Sequence, residues 1–237
     1  MLFIHGAGGN SKIWERQIKF FGNAIAIDLP GHGVGEGKKT IEEYVEEVKK
    51  FCDENNLKNL VIIGHSMGGA IALEFALNHI EYLKALVLVC TGAKLRVAPI
   101  IFETLKTNYA QAVELVADYV LGDKATDEIK MKVKEEMRNM SPQVVYSDFE
   151  ACDKFNVMDR LNEIKVPTLI ICGSKDKLTP LKYAKYLRDN IQNSKLKIIR
   201  AGHMVMLEKP DEFNEKLEGF IKELNKLAKK SRGIEKS

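Results

Sequence analysis

Leu60-Val61-Ile62-Ile63-Gly64-His65-Ser66-Met67-Gly68-Gly69-Ala70-Ile71-Ala72-Leu73-Glu74-Phe75-Ala76-Leu77 decides the fold. Four consecutive apolar residues run into a glycine-bounded serine, and an apolar pattern of helical type follows at once. Strand, sharp turn and helix is the setting a G-x-S-x-G elbow requires, and Gly64-His65-Ser66-Met67-Gly68 fits it. Such a turn lifts the serine hydroxyl clear at the carboxyl end of the strand. Glycines flank the serine because a Cβ there would collide where strand and helix pack closely. A Gly-Ser-Gly turn without chemistry is the plain alternative, and the remainder of the chain has to choose between the two.

Toward the N-terminus, Met1-Leu2-Phe3-Ile4 reads as a buried strand running into His5-Gly6-Ala7-Gly8-Gly9. A turn so rich in glycine lets backbone N–H groups point at a ligand. A dinucleotide-binding GxGxxG is the rival reading. It fails because Gly6-Ala7-Gly8-Gly9-Asn10-Ser11 lacks the third glycine and Asp28 is a poor match for the acidic partner. Ser11 is expected to cap a first helix carrying Ile13, Trp14, Gln17, Ile18 and Phe21. Ala24-Ile25-Ala26-Ile27 is a second buried strand, ending in the turn Asp28-Leu29-Pro30-Gly31-His32-Gly33. Thr40-Ile41-Glu42-Glu43 is a capping box that starts a helix through about Asn55.

Toward the C-terminus, Ala85-Leu86-Val87-Leu88-Val89 is the next strand. From Thr91 to about Ile164 helical spacing dominates, with Ala98-Pro99-Ile100-Ile101-Phe102 ambiguous between strand and helix. The strand pattern returns in Val166–Cys172, followed by Gly173-Ser174-Lys175-Asp176, and Thr179-Pro180 carries cap and first-turn chemistry for a helix to about Asn190. Leu196-Lys197-Ile198-Ile199 is the last strand, Ala201-Gly202-His203 follows it, and a final helix is expected from about Asp211 to Lys226.

Strands alternating with helices, and strands that are continuously apolar, imply a parallel sheet covered on both faces. On such sheets ligands bind beyond the carboxyl ends of the strands. Gly6–Gly9, Ser66, Asp176 and His203 each follow a strand, so the topology gathers them on one edge. The expected architecture is α/β: a sheet of about six strands flanked by helices. Residues 1–91 and 164–237 would form its core and residues 92–163 a helical cap, or lid, inserted between the two parts.

Composition narrows the partners. The chain has 237 residues, 45% hydrophobic and 29% charged, with 36 Lys and Arg against 33 Asp and Glu, so no concentrated basic face argues for nucleic acid. Four widely spaced cysteines, Cys52, Cys90, Cys152 and Cys172, contain no C-x-x-C pair and suit a reduced, cytoplasmic protein. No apolar run approaches the ~18 residues of a membrane span, and no signal peptide precedes the first strand.

Ser66, Asp176 and His203 stand in the chain order nucleophile, acid, histidine. Together with His5-Gly6, Asp28–Gly33 and the elbow, this resembles the α/β-hydrolase superfamily, in the branch of small capped serine carboxylesterases and monoacylglycerol-lipase-like enzymes. The resemblance runs from Met1 to about Leu224. It implies Ser66 as nucleophile, His203 as base and Asp176 as the acid that orients His203. By position it also implies the backbone N–H groups of Ala7 and Met67 as oxyanion donors. Asp153 and Asp159 are rival acids, disfavoured because they lie in the insertion. His5, His32, His65 and His79 read as structural. A serine rather than a carboxylate at the elbow sets the chain apart from dehalogenases and epoxide hydrolases of this fold. No cofactor is implied, and no HExxH or other ligand spacing suggests a metal.

The expected reaction is hydrolysis of a small ester with a short or medium acyl chain. Leu178, Met204, Val205, Met137 and Met140 are candidate substrate-binding residues; Met67, Phe102, Tyr109, Phe149 and Met158 are further wall candidates. Carbon–carbon hydrolysis, thioester or lactone cleavage and perhydrolysis use the same triad, and a ligand-binding receptor can retain the fold. Family members usually carry two strands before the one ending in His-Gly, whereas here Met1 already stands in that strand. Six parallel strands are then expected, with Ala24–Ile27 at an edge. An exposed apolar edge invites pairing with a second copy, so a homodimer or a poorly soluble protein is expected.

Overall fold

The computed structural model describes residues 1–123 and 125–234. Its chain begins in strand β1 (Leu2–Ile4), passes through a 3-10 turn (Ser11–Trp14) into helix α1 (Glu15–Phe21), and returns as β2 (Ile25–Ile27). Helix α2 (Ile41–Glu54), β3 (Leu60–His65), α3 (Met67–Asn78) and β4 (Leu83–Val89) follow. Four helices then intervene: α4 (Pro99–Thr107), α5 (Tyr109–Val120), α6 (Asp127–Arg138) and α7 (Pro142–Lys154). The sheet resumes with β5 (Thr168–Gly173), α8 (Leu181–Asn190) and β6 (Ser194–Ile199), and the chain closes with α9 (Val205–Glu208) and α10 (Pro210–Ile234).

The six strands form one sheet in the order β2-β1-β3-β4-β5-β6, every pairing parallel. Period-2 alternation divides their side chains between two cores. Leu2, Ile4, Ile62, Leu86, Leu88 and Ile170 face α2, α3 and α8. Phe3, Val61, Ile63, Val87, Leu169 and Ile171 face α1 and α10. Burial on both sides explains why β3 and β5 are buried at every position and carry the unbroken apolar runs Leu60-Val61-Ile62-Ile63 and Leu169-Ile170-Ile171-Cys172. The edges read differently: β6 alternates lysines with apolar residues, and β2 leaves Ile25 exposed. Among the described residues no helix is long and apolar enough to cross a membrane.

Several local expectations change. The ambiguous Ala98–Phe102 stretch is helical, because Pro99 occupies the first turn of α4, where its missing N–H costs nothing. Asn10, not Ser11, caps the first turn by accepting from Lys12 N, while the Ser11 amide donates to Asp28 at 2.6 Å. The Thr40 capping box is present in full. Thr179 does not cap α8, since its hydroxyl is spent on Asp176.

Candidate active site

Ser66 joins β3 to α3 with φ 54° and ψ −116°, a strained backbone for a residue with a Cβ. The surroundings hold it there: its N–H donates to Val89 O at 2.9 Å and its carbonyl accepts from the Thr91 hydroxyl at 2.8 Å. A Cβ on Gly64 would lie 2.0 Å from Gly68 O, so only glycine lets the helix start this close to the strand. The same device recurs beside the acid. A Cβ on Gly173 would lie 2.0 Å from Gly202 O, which brings the loops carrying Asp176 and His203 together.

His203 follows β6 and is 2% exposed. Its N–H donates to Val120 O at 2.9 Å, and its carbonyl accepts from His65 Nε2 at 3.1 Å. His65 packs its ring 4.7 Å from that of His203, and burial together with this neighbour holds its pKa well below the ordinary histidine value. Neutral His65 therefore keeps its proton on Nε2, facing the carbonyl. His203 Nδ1 lies 2.8 Å from Asp176 Oδ2. Asp176 also accepts from the Leu178 and Thr179 amides at 2.9 Å each and from the Thr179 hydroxyl at 2.7 Å. Burial alone would raise its pKa. The charge and hydrogen bond of His203, joined by those of Thr179, outweigh burial and bring it down to about 2. Asp153 is engaged elsewhere, accepting from Val97 N at 3.1 Å, and Asp159 stands exposed in a 3-10 turn.

With Asp176 accepting at Nδ1, Nε2 is the nitrogen of His203 left to exchange a proton. Ser66 and His203 face one cavity, which reaches from Gly6–Gly9 past Met137, Phe149, Leu178 and Met204. A second cavity, of about 210 Å³, opens from Ser66 between Leu95, Ile101, Phe149 and Leu178 and carries the charged side chains Arg96 and Lys177. Ser66 thus stands where two mainly apolar lobes meet. Among the described residues no hydrogen bond takes up the Ser66 hydroxyl or the amides of Ala7 and Met67. Catalytic hydrogen bonds commonly tighten only with substrate in place.

Of the wall candidates, Leu178, Met204, Met137 and Phe149 line these cavities. Val205 does not: it begins α9 with its side chain fully buried in the core. Met140 packs on the same core away from both lobes, and Met67 is buried against the opposite face of the sheet, presenting backbone alone. Phe102 stacks edge-on against Tyr146 at 5.4 Å, Tyr109 donates its hydroxyl to Met137 O, and Met158 packs beneath the sheet. Among the described residues, Cys90, Asp176 and His203 are the grouping whose ligand atoms, within 4.8 Å of one another, could hold an ion. Two of these are already bound to each other.

One buried group escaped sequence reasoning. Asp148, on α7, is fully buried and accepts from Gly8 N and His32 Nε2 at 2.8 Å each and from the Tyr44 hydroxyl at 2.6 Å. A lone carboxylate on the apolar stripe Val144, Val145, Ala151, Cys152 was the available signal.

The model of the alpha/beta hydrolase family matches residues 1–216. Among characterised relatives, 3-oxoadipate enol-lactonase 2 of Acinetobacter baylyi is 26% identical over 240 residues, covering 95% of this chain and 89% of the relative. Pimeloyl-[acyl-carrier protein] methyl ester esterase of Vibrio atlanticus is 23% identical over 242 residues, 93% of each chain. A solved thermophilic esterase superposes with TM-score 0.85 at 38% identity, covering 94% of this chain and 89% of that one.

Proposed function

The chain belongs to the alpha/beta hydrolase family, and from that premise we propose that it hydrolyses carboxylic esters with short to medium acyl chains through an acyl-enzyme. The observation that carries the reading is the 2.8 Å contact of His203 Nδ1 with Asp176, which leaves Nε2 to exchange a proton in a residue that lines the same cavity as Ser66. His203 Nε2 takes the Ser66 proton as Oγ bonds to the ester carbonyl carbon. The carbonyl oxygen becomes an oxyanion held by the N–H groups of Ala7 and Met67. Collapse of the adduct breaks the bond to the alkoxide, which takes the proton from His203. Water, deprotonated by the same nitrogen, then releases the acid and restores Ser66. Asp176 keeps Nδ1 protonated and balances the charge of the imidazolium. Two lobes meeting at Ser66 give separate room for the acyl and alcohol halves, with α4–α7 as the cap over them.

A lactone is the second reading, favoured by the enol-lactonase relative. Its chemistry is the same, with the leaving alkoxide tethered to the acyl group. The experiment is hydrolysis of p-nitrophenyl esters of increasing acyl length beside a set of lactones, wild type against Ser66→Ala. Ester turnover that vanishes in the variant is expected. Turnover of lactones alone would replace the first reading by the second, and a rate untouched by Ser66→Ala would end both.

A further inference from the structure

The oxyanion donor proposed on the N-terminal side belongs to Gly6-Ala7-Gly8-Gly9, in which glycines surround Ala7. Glycine backbone is the least restrained in the chain, so the direction of the Ala7 N–H has to be fixed from outside. Within the segment, one bond of 3.2 Å, from Gly9 N to Gly6 O, closes a turn. Gly8 takes φ 63°, the positive value that a type II turn needs at its third position. Types I and II differ by the orientation of the central peptide unit, here Ala7–Gly8. That unit is the one Asp148 grips, through the Gly8 N–H at 2.8 Å.

The grip is built for the purpose. Asp148 arrives on α7, 140 residues away in sequence, and its carboxylate is fully buried. Oδ2 accepts from Gly8 and from His32 Nε2, and Oδ1 from the Tyr44 hydroxyl. His32 Nδ1 lies 3.1 Å from Pro30 O, so both ring nitrogens face acceptors and the ring is held as a cation opposite the carboxylate. Val145 and Met137 lie 3.5 and 3.6 Å from where a Gly8 Cβ would stand, so α6 and α7 press directly on the turn.

We propose that Asp148 is a positioning residue for oxyanion stabilisation, anchoring the Gly6–Gly9 turn through the Gly8 N–H so that the adjoining Gly6–Ala7 peptide, which carries the Ala7 N–H, stays directed at the reacting carbonyl oxygen. The proposal rests on the serine-hydrolase reading above. Through this one side chain the inserted helices are coupled to the rate of the chemical step, and not merely to the shape of the pocket.

The test compares Asp148→Leu, which removes the acceptor of the Gly8 N–H, with Tyr44→Phe in the intact chain, measuring kcat, KM, thermal stability and inhibition by phenylboronic acid, whose serine adduct mimics the tetrahedral intermediate. An oxyanion donor lost outright costs about 10²–10³ in kcat. A misdirected one in Asp148→Leu is expected to cost about 10- to 100-fold in kcat, with KM within about 3-fold and boronate affinity reduced in step with kcat. Tyr44→Phe removes a bond to Oδ1 and spares the Gly8 contact, so it is expected to lower thermal stability while reducing kcat less than about 3-fold. A folded Asp148→Leu protein that keeps wild-type kcat and boronate affinity overturns the proposal, as does a loss confined to KM. Should Asp148→Leu fail to fold, the double variant Asp148→Leu/His32→Leu replaces the buried pair by apolar side chains and is read by the same criteria. Absence of ester and lactone turnover in the wild type would instead strike the underlying reading, before any variant is compared.

Discussion

Among the described residues two buried aspartate–histidine pairs have the same length, and they differ in what the second ring nitrogen is left to do. Asp176–His203 and Asp148–His32 each measure 2.8 Å, and each carboxylate collects further hydrogen bonds from nearby donors. The difference lies at the other ring nitrogen. His32 spends its second nitrogen on Pro30 O, so the ring has no lone pair to offer and no outlet to a cavity. His203 spends Nδ1 on Asp176 and lines the same cavity as Ser66, and among the described residues no hydrogen bond takes up its Nε2. Burial of a histidine against a carboxylate is therefore a structural arrangement by default. It becomes a proton relay when one nitrogen is left free next to a nucleophile.

The most forceful way to break this contrast is Asp176→Asn. An amide can accept from His203 or donate to it, and donation fixes the tautomer whose proton points at Ser66. A fall in kcat of about 10⁴-fold is expected, with little change in KM. The matched change on the other pair, His32→Asn, is expected to cost less than about 10-fold in kcat, read from the same progress curves. Equal losses in the two variants would erase the distinction drawn between the pairs.

His32 should instead reveal itself in stability. Burial by itself would lower its pKa, but the hydrogen bond and charge of Asp148, with the carbonyls of Pro30 and Leu29, raise it above the ordinary value. A histidine with a raised folded pKa contributes its full stabilisation below the unfolded pKa of about 6.5 and loses it as pH rises through the folded value. Neighbouring groups do not titrate in that window: burial, followed by the charge of His32, pushes His5 down to about 4, and burial with Asp148 pushes Tyr44 up. Unfolding free energies of wild type and His32→Asn from denaturant titration should differ by about 3–5 kcal/mol near pH 6, the usual cost of stranding one member of a buried pair. The gap should narrow steadily on going to alkaline pH. A gap that widens would assign the wrong charge to His32.

The same two pairs show how far sequence reading reaches. Asp176 and His203 are legible because each follows a strand, one wholly buried and one alternating, and parallel topology sends every strand end to one edge. The sheet was legible for the same reason, since β3 and β5 are buried at each position and their apolar runs have no break. Asp148 was not legible, because α7 has no fixed relation to the sheet edge and its partners Gly8, His32 and Tyr44 come from three other segments. Helical periodicity places it on a buried face without saying what waits there. Val205 fails for a related reason. Adjacency to His203 in sequence suggested a cavity wall, but the start of α9 turns the side chain into the core. Thr179 looked like a helix cap because caps and carboxylate donors draw on the same residue types.

Thr179 offers the finest cut. Its hydroxyl donates to Asp176 Oδ2 at 2.7 Å and lies 3.3 Å from His203 Nδ1, so it braces the Asp176–His203 pair without engaging Nε2. Thr179→Val keeps the shape and the amide that donates to Oδ1 while deleting one of the two bonds that fix Oδ2. A hydrogen bond to a charged group contributes about 1.5–3 kcal/mol, and the bond from His203 remains, so a stability loss at the lower end of that range is expected. The Asp176 pKa should rise from its depressed value, because one of the interactions holding it down is gone. A carboxylate whose folded pKa lies below the unfolded value of about 3.9 stabilises the fold above that pH and loses the contribution as pH falls toward about 2. Wild type should therefore lose more of its advantage over Thr179→Val between pH 4 and 2 than between pH 7 and 4, a comparison of about two denaturation series. The kcat at neutral pH should drop only a few-fold, since Asp176 stays ionised and His203 keeps its tautomer. A loss approaching that of Asp176→Asn would mean that the hydroxyl, and not the carboxylate alone, orients the imidazole.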